Sequence, residues 1–178
     1  FGFSVIQVVL AQQNKAINYL YGIIGVILSI YILFQSKLYA EIALYSYYLV
    51  MSIYGWLYWK FGKQKSAVAI TFASFKEKLI ATAIMIVGYI ILFYTLWTYT
   101  DSDVPHLDAL VSATAWAGMW LMAKRKVENW LLLNLSNIVA IFLFWYKEVY
   151  LYSVLSLILF IVAVFGYINW KKLANSKQ

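Results

Sequence analysis

The chain holds no cysteine, one proline and one histidine in 178 residues. Without cysteine there is neither a disulfide framework nor a thiolate metal site. The lone His106 sits beside Pro105 in a polar connection. It leaves no histidine pair for haem and no ligand set for zinc. No lysine lies mid-helix where a retinal Schiff base would need one, and the eight glycines form no phosphate loop. The chain is therefore expected to carry no cofactor and no catalytic cluster. Charge is also scarce. Asp, Glu, Lys and Arg make up 12% of the residues, and none of them stands in the middle of a long apolar run.

What is abundant is apolar surface, at 65% of residues with a mean hydropathy of +0.77. A soluble domain of this size would leave far too much of it in water. The runs read as helices in a bilayer, because a crossing needs about 20 apolar helical residues. Seven segments follow in order: a partial first helix through Ala11, then Asn18–Gln35, Glu41–Trp59, Leu79–Tyr99, Asp108–Ala123, Asn129–Tyr146 and Val149–Trp170. The first is too short to span and is expected to be the second half of a longer helix. The fold class is all-α integral membrane. Gly22, Gly25 and Ser29 share one face of the second segment, where a neighbouring helix can approach closely.

If alternate connections are assigned to opposite sides, every one of the 14 Lys and Arg residues except Lys37 and Lys147 falls on one side. This marks that side as cytoplasmic, with the C-terminus inside and the N-terminus outside. Topology thereby accounts for the net charge of +7 without a nucleic-acid partner.

The block Asn18–Lys60 aligns without a gap on Asn129–Lys171. Asn18 meets Asn129, Tyr39 meets Tyr150, and Gly55, Trp59 and Lys60 meet Gly166, Trp170 and Lys171. Extended by position, this gives a three-plus-one-plus-three plan. Residues 1–78 form the first repeat with a basic loop, 79–107 a linker helix with an outer loop, and 108–178 the second repeat with the tail. Two repeats inserted the same way round are the arrangement of SWEET-type transporters, with a site between the halves near mid-membrane.

The candidate site consists of amides and aromatics. Helical spacing puts Trp130, Leu133, Asn134 and Asn137 on one face of the sixth segment, and Tyr45, Tyr48, Ser52 and Trp56 on one face of the third. Ser156 belongs to the matching stripe of the seventh, and Gln7 is a further candidate on the first. An amide in hydrocarbon must be satisfied by another helix or by a ligand. Such a box suits a flat heterocycle with a hydroxylated arm, and a delocalised cation especially. Ser136 lies on a different face and reads as a helix–helix contact, Asn129 as a helix cap, and Trp59 and Trp170 as members of a cytoplasmic aromatic belt. Asp108 is expected to cap its helix or to attract a cation at the outer mouth. With no ionisable group inside the spans, proton coupling is not expected.

Three stretches, Ile53-Tyr-Gly-Trp-Leu-Tyr-Trp59, Trp120-Leu-Met-Ala-Lys-Arg-Lys-Val-Glu-Asn-Trp130 and Phe165-Gly-Tyr-Ile-Asn-Trp170, resemble the PnuC family of bacterial vitamin transporters. The resemblance implies a seven-helix SWEET-like fold in the bacterial cytoplasmic membrane and a homotrimer. It also implies facilitated uptake of nicotinamide riboside, with thiamine or riboflavin as alternatives, followed by cytoplasmic phosphorylation that traps the substrate. This chain has Leu133 where nicotinamide riboside carriers often have Trp, and Gly25 and Tyr45 where they often have amides. A membrane scaffold subunit, in which the polar residues serve only packing, is the alternative from another class.

Overall fold

A computed structural model describes residues 2–35, 39–61 and 68–176. Lys37, Lys63, Lys65 and Lys177, which entered the charge partition, lie outside the described residues. Among those described there are seven helices: α1 (Gly2–Gln12), α2 (Asn18–Gln35), α3 (Tyr39–Phe61), α4 (Phe75–Tyr99), α5 (Pro105–Ala123), α6 (Asn129–Tyr146) and α7 (Tyr150–Asn175). Three of them, α4, α6 and α7, are long and apolar enough to cross a bilayer by length and composition. Large apolar side chains such as Ile90, Tyr94, Trp97, Phe142 and Leu151 face outward, as lipid contact requires.

Two helix starts differ from the hydropathy boundaries by three residues or more. α4 begins at Phe75 rather than Leu79, because a capping box ends the loop there. The Ser74 hydroxyl accepts the Glu77 N–H at 3.3 Å, and the Glu77 carboxylate accepts the Ser74 N–H at 2.9 Å. α5 begins at Pro105 rather than Asp108, since proline suits the first helical turn, where its missing N–H is no loss. Polarity marks where the apolar run ends, whereas capping chemistry marks where the helix begins.

Within each half, α1 packs on α2 and α2 on α3, as α5 packs on α6 and α6 on α7. Across the halves α1 meets α7 and α3 meets α5, while α4 lies chiefly against α5. Equivalent residues repeat the same local geometry. Asn14 and Arg125 both have positive φ, 60° and 55°. Asn18 donates its amide N–H to the Lys15 carbonyl at 2.7 Å, and Asn129 donates likewise to Lys126 at 2.5 Å. Asn129 thus ties down the preceding turn; it makes no side-chain cap on α6.

The floor at the C-terminal ends of α3 and α7 repeats the same way. The Trp59 Nε1 donates to the carbonyls of Met122 and Ala123 at 3.3 and 3.1 Å, in the opposite half. Trp170, its equivalent, donates to the Ala11 carbonyl at 3.2 Å. Both are buried, at 2% and 0% exposure, so they close the interior rather than line a lipid-facing belt. Tyr19 stands edge-on to Trp59 at 5.1 Å and Trp130 edge-on to Trp170 at 5.4 Å. A ring of each pair lies close against a glycine, Tyr19 against Gly55 and Trp130 against Gly166. A side chain at either glycine would occupy the space the ring fills.

The loop ahead of α4 is latched to the α5–α6 turn. Thr71 and Lys126 form a parallel bridge, with Thr71 N–H to the Arg125 carbonyl at 3.2 Å and Val127 N–H to the Thr71 carbonyl at 3.1 Å. Arg125 donates to the Val68 carbonyl and lies over the Trp59 ring at 4.1 Å. Burial pulls its pKa below the ordinary arginine value. Lys126 pairs with Glu77 at 3.1 Å, and Glu128 accepts the Ala73 N–H at 2.8 Å.

Candidate functional site

Six helices leave a cavity of about 290 Å³ between the two halves. α1 brings Gln7, α3 brings Tyr45, Tyr48 and Ser52, and α6 brings Asn137. These expected residues come from three separate helices, and only packing unites them. Tyr45 and Tyr48 meet edge to face at 5.7 Å, 89° between planes. Gln7 lies beside Gly22, whose missing side chain makes the room, and Phe3 takes the space beside Gly25. The small face of α2 therefore receives α1.

Four expected residues lie elsewhere. Trp130 is fully buried in the Trp170 layer. Asn134 points its carbonyl oxygen into the helix packing, where it is buried without a partner. Positions 133 and 134 are about 100° apart around the helix, so the face that presents Leu133 and Asn137 to the cavity turns Asn134 aside. Trp56 lies near the C-terminal end of α3 with the Lys60 ammonium 5.2 Å from its ring. The Ser156 hydroxyl is spent on the Tyr152 carbonyl at 2.9 Å, as is common for serine inside a helix.

Other lining residues escaped spacing arguments. Tyr19, Met51, Met119 and Met122 reach the cavity, and so does Ser136. Ser136 also makes the helix contact expected of it, donating to the Val111 carbonyl of α5 at 2.8 Å. Tyr19 could have been noticed through the repeat, as the counterpart of Trp130. The methionines carry no periodic signal that separates a cavity wall from core. Most of the polar lining comes from the first half, although Asn137 has Val26 and no amide as its counterpart there.

Among the described residues, no Asp, Glu, Lys, Arg or His lines the cavity. The acidic group in the first turn of α5 is already paired. The Asp108 carboxylate accepts two bonds from the Lys147 ammonium, at 2.7 and 2.6 Å, and one from the Ser102 hydroxyl. This ion pair ties the first turn of α5 to the α6–α7 turn and leaves Asp108 little charge to offer a passing cation. The site can hold a neutral or delocalised-cation ligand by ring faces, amides and hydroxyls.

A family model described as nicotinamide mononucleotide transporter matches residues 1–172. The chain belongs to the PnuC family of membrane transporters. Among PnuC relatives, the nicotinamide riboside transporter of Escherichia coli strain K12 is 27% identical over 194 residues, covering 94% of this chain and 81% of that protein. The nicotinamide riboside transporter of Neisseria mucosa is 30% identical over 186 residues, covering 97% and 70%. That of Haemophilus influenzae is 30% identical over 180 residues, covering 97% and 77%. A crystal structure of the vitamin B3 transporter PnuC superposes with a TM-score of 0.74 at 26% identity, over 99% of this chain and 80% of that one. Membership in PnuC accounts for the all-helical build and the apolar exterior, and it makes the cavity between the halves the place to look for substrate.

Proposed function

We propose that the chain is a uniporter for nicotinamide riboside, with cytoplasmic phosphorylation trapping what enters. The observation that carries this is the cavity between the halves, lined among the described residues by uncharged side chains; Asn137, Gln7, Tyr45, Tyr48 and Ser52 are the residues we assign to substrate binding. Tyr45 and Tyr48 offer ring faces to the pyridinium cation, each such contact worth about 0.5–2 kcal/mol. The amides offer donors and acceptors to a carboxamide or a sugar. A phosphate would be buried there without a counter-charge, at a cost of several kcal/mol. This favours the riboside over the mononucleotide. Thiamine, also a cationic heterocycle with a hydroxyl arm, is the alternative, with riboflavin next. A cavity of this kind supports transport over a purely structural scaffold.

The topology that goes with this function has seven crossings in a SWEET-like three-plus-one-plus-three plan, the N-terminus outside and the C-terminus in the cytoplasm. Residues 1–78 and 108–178 are the two repeats and 79–107 the linker. The membrane is the bacterial cytoplasmic membrane, and three copies form the working assembly. The halves rock about the central site, and their shared contacts, α1 on α7 and α3 on α5, are the surfaces that would shift.

Titration of purified protein with nicotinamide riboside, thiamine and riboflavin tests the substrate. Binding of the riboside at micromolar concentration is expected; binding of none of the three would refute the assignment. Uptake into liposomes should be unchanged when proton and sodium gradients are collapsed. Gradient-driven accumulation would rule out uniport.

A further inference from the structure

The cavity has a polar inner end that the amide and ring contacts leave unused. Tyr19 and Ser52 both line it, at 3% and 1% exposure, and neither hydroxyl has a hydrogen-bond partner. The other buried Ser and Thr hydroxyls described in these helices are satisfied internally. Ser29, Thr114 and Ser156 donate to the carbonyl four residues back, and Ser153 to the Ile141 carbonyl on the next helix. Ser52 is in the same helical setting yet makes no such bond. A buried hydroxyl left unpaired is unfavourable unless something else arrives to pair it.

The repeat shows that these hydroxyls are not needed for packing. The counterparts of Tyr19 and Ser52 are Trp130 and Ala163. Trp130 seats on Gly166 as Tyr19 seats on Gly55, and Ala163 packs in the same layer. Neither Trp130 nor Ala163 lines the cavity. The second half thus builds the same floor with no hydroxyl, so in the first half the ring is structural and the hydroxyl is an addition. By helical rise Ser52 lies about 4.5 Å outward of Gly55, and hence of the Tyr19 ring. Tyr48 and Tyr45 follow further outward along α3.

We propose that Tyr19 and Ser52 form a second polar subsite at the inner end of the cavity, which takes the hydroxylated arm of the substrate while its ring lies further out by Tyr45 and Tyr48. Each hydroxyl can both donate and accept, which matches a ribose or hydroxyethyl group. This rests on the transport assignment above and specifies which end of the substrate points inward.

The test compares two ligands on three proteins. Nicotinamide riboside and the N-methylnicotinamide cation share the ring and its charge, but only the first has the arm. Affinities are measured by calorimetry for the wild type, Tyr19→Phe and Ser52→Ala, with thermal stability followed in parallel. Each substitution should weaken riboside binding about tenfold and leave N-methylnicotinamide unchanged. Should thiamine be the ligand that binds, its analogue with methyl in place of hydroxyethyl replaces N-methylnicotinamide, with the same expectation. Riboside affinity within twofold of wild type in both variants would overturn the subsite alone, as would equal losses for both ligands. Wild-type protein that binds neither vitamin would overturn the transport assignment and the subsite together.

Discussion

Gly166→Ala offers a direct test of the paired floor. The added methyl would stand 2.6–2.8 Å from three atoms of the Trp130 ring. That ring has nowhere to withdraw. It is fully buried and already edge-on to Trp170 at 5.4 Å. Overpacking of this kind costs about 1–3 kcal/mol. For a chain of this length, that corresponds to a fall in Tm of roughly 2–12 °C. Gly55→Ala meets Tyr19 in the same way and should cost a similar amount. The two variants differ in function, because Tyr19 lines the cavity and Trp130 does not. Thermal unfolding in detergent and ligand titration on the same samples would separate the effects. Gly166→Ala should lose stability while the folded protein keeps its ligand affinity. Gly55→Ala should lose both. Wild-type stability in Gly166→Ala, or an equal affinity loss in both variants, would refute the picture of one shared floor with a site on one side only.

Further outcomes follow from single contacts. Asn137→Leu should abolish uptake into liposomes with the Tm nearly unchanged, because it removes an amide from the cavity wall and not from a packing contact; normal uptake would make Asn137 a structural residue. Trp170→Phe removes the donor to the Ala11 carbonyl that joins α7 to α1. It should cost about 0.5–1.5 kcal/mol in a thermal or denaturant melt, the net worth of one hydrogen bond, because the Asn14 N–H still pairs that carbonyl at 2.9 Å. Lys147→Ala breaks the ion pair with Asp108, whose side chains are 26% and 18% exposed. After allowance for solvent screening the loss should be about 0.5–1 kcal/mol, and the difference from wild type should shrink at 1 M salt.

Sequence patterns alone carried the architecture a long way. Apolar length, the near-absence of charge inside the runs and the gapless match of Asn18–Lys60 to Asn129–Lys171 are properties of composition and spacing. They required no knowledge of which helix touches which. The helix count and order follow from them, as does the pairing of Gly55 with Gly166 and Trp59 with Trp170. Helix ends were less legible. The Ser74–Glu77 capping box and Pro105 set them, and each falls inside a polar stretch where hydropathy is silent.

Tertiary structure decided what each face meets. Trp130, Leu133, Asn134 and Asn137 share one broad stripe by period, but a stripe about 100° wide has two edges, and neighbouring helices assign them differently. Asn137 and Leu133 reach the cavity, Trp130 goes to the floor, and Asn134 turns into the packing. Trp59 and Trp170 could be told from interfacial belt residues only once their N–H groups were seen to bond carbonyls of the opposite half. Tyr19 is the sharpest case. Its sequence position shows an aromatic ring at a helix start, equivalent to Trp130. That it reaches the cavity with its hydroxyl unpartnered depends on α3 approaching α2 at Gly55, a long-range contact that no local pattern encodes.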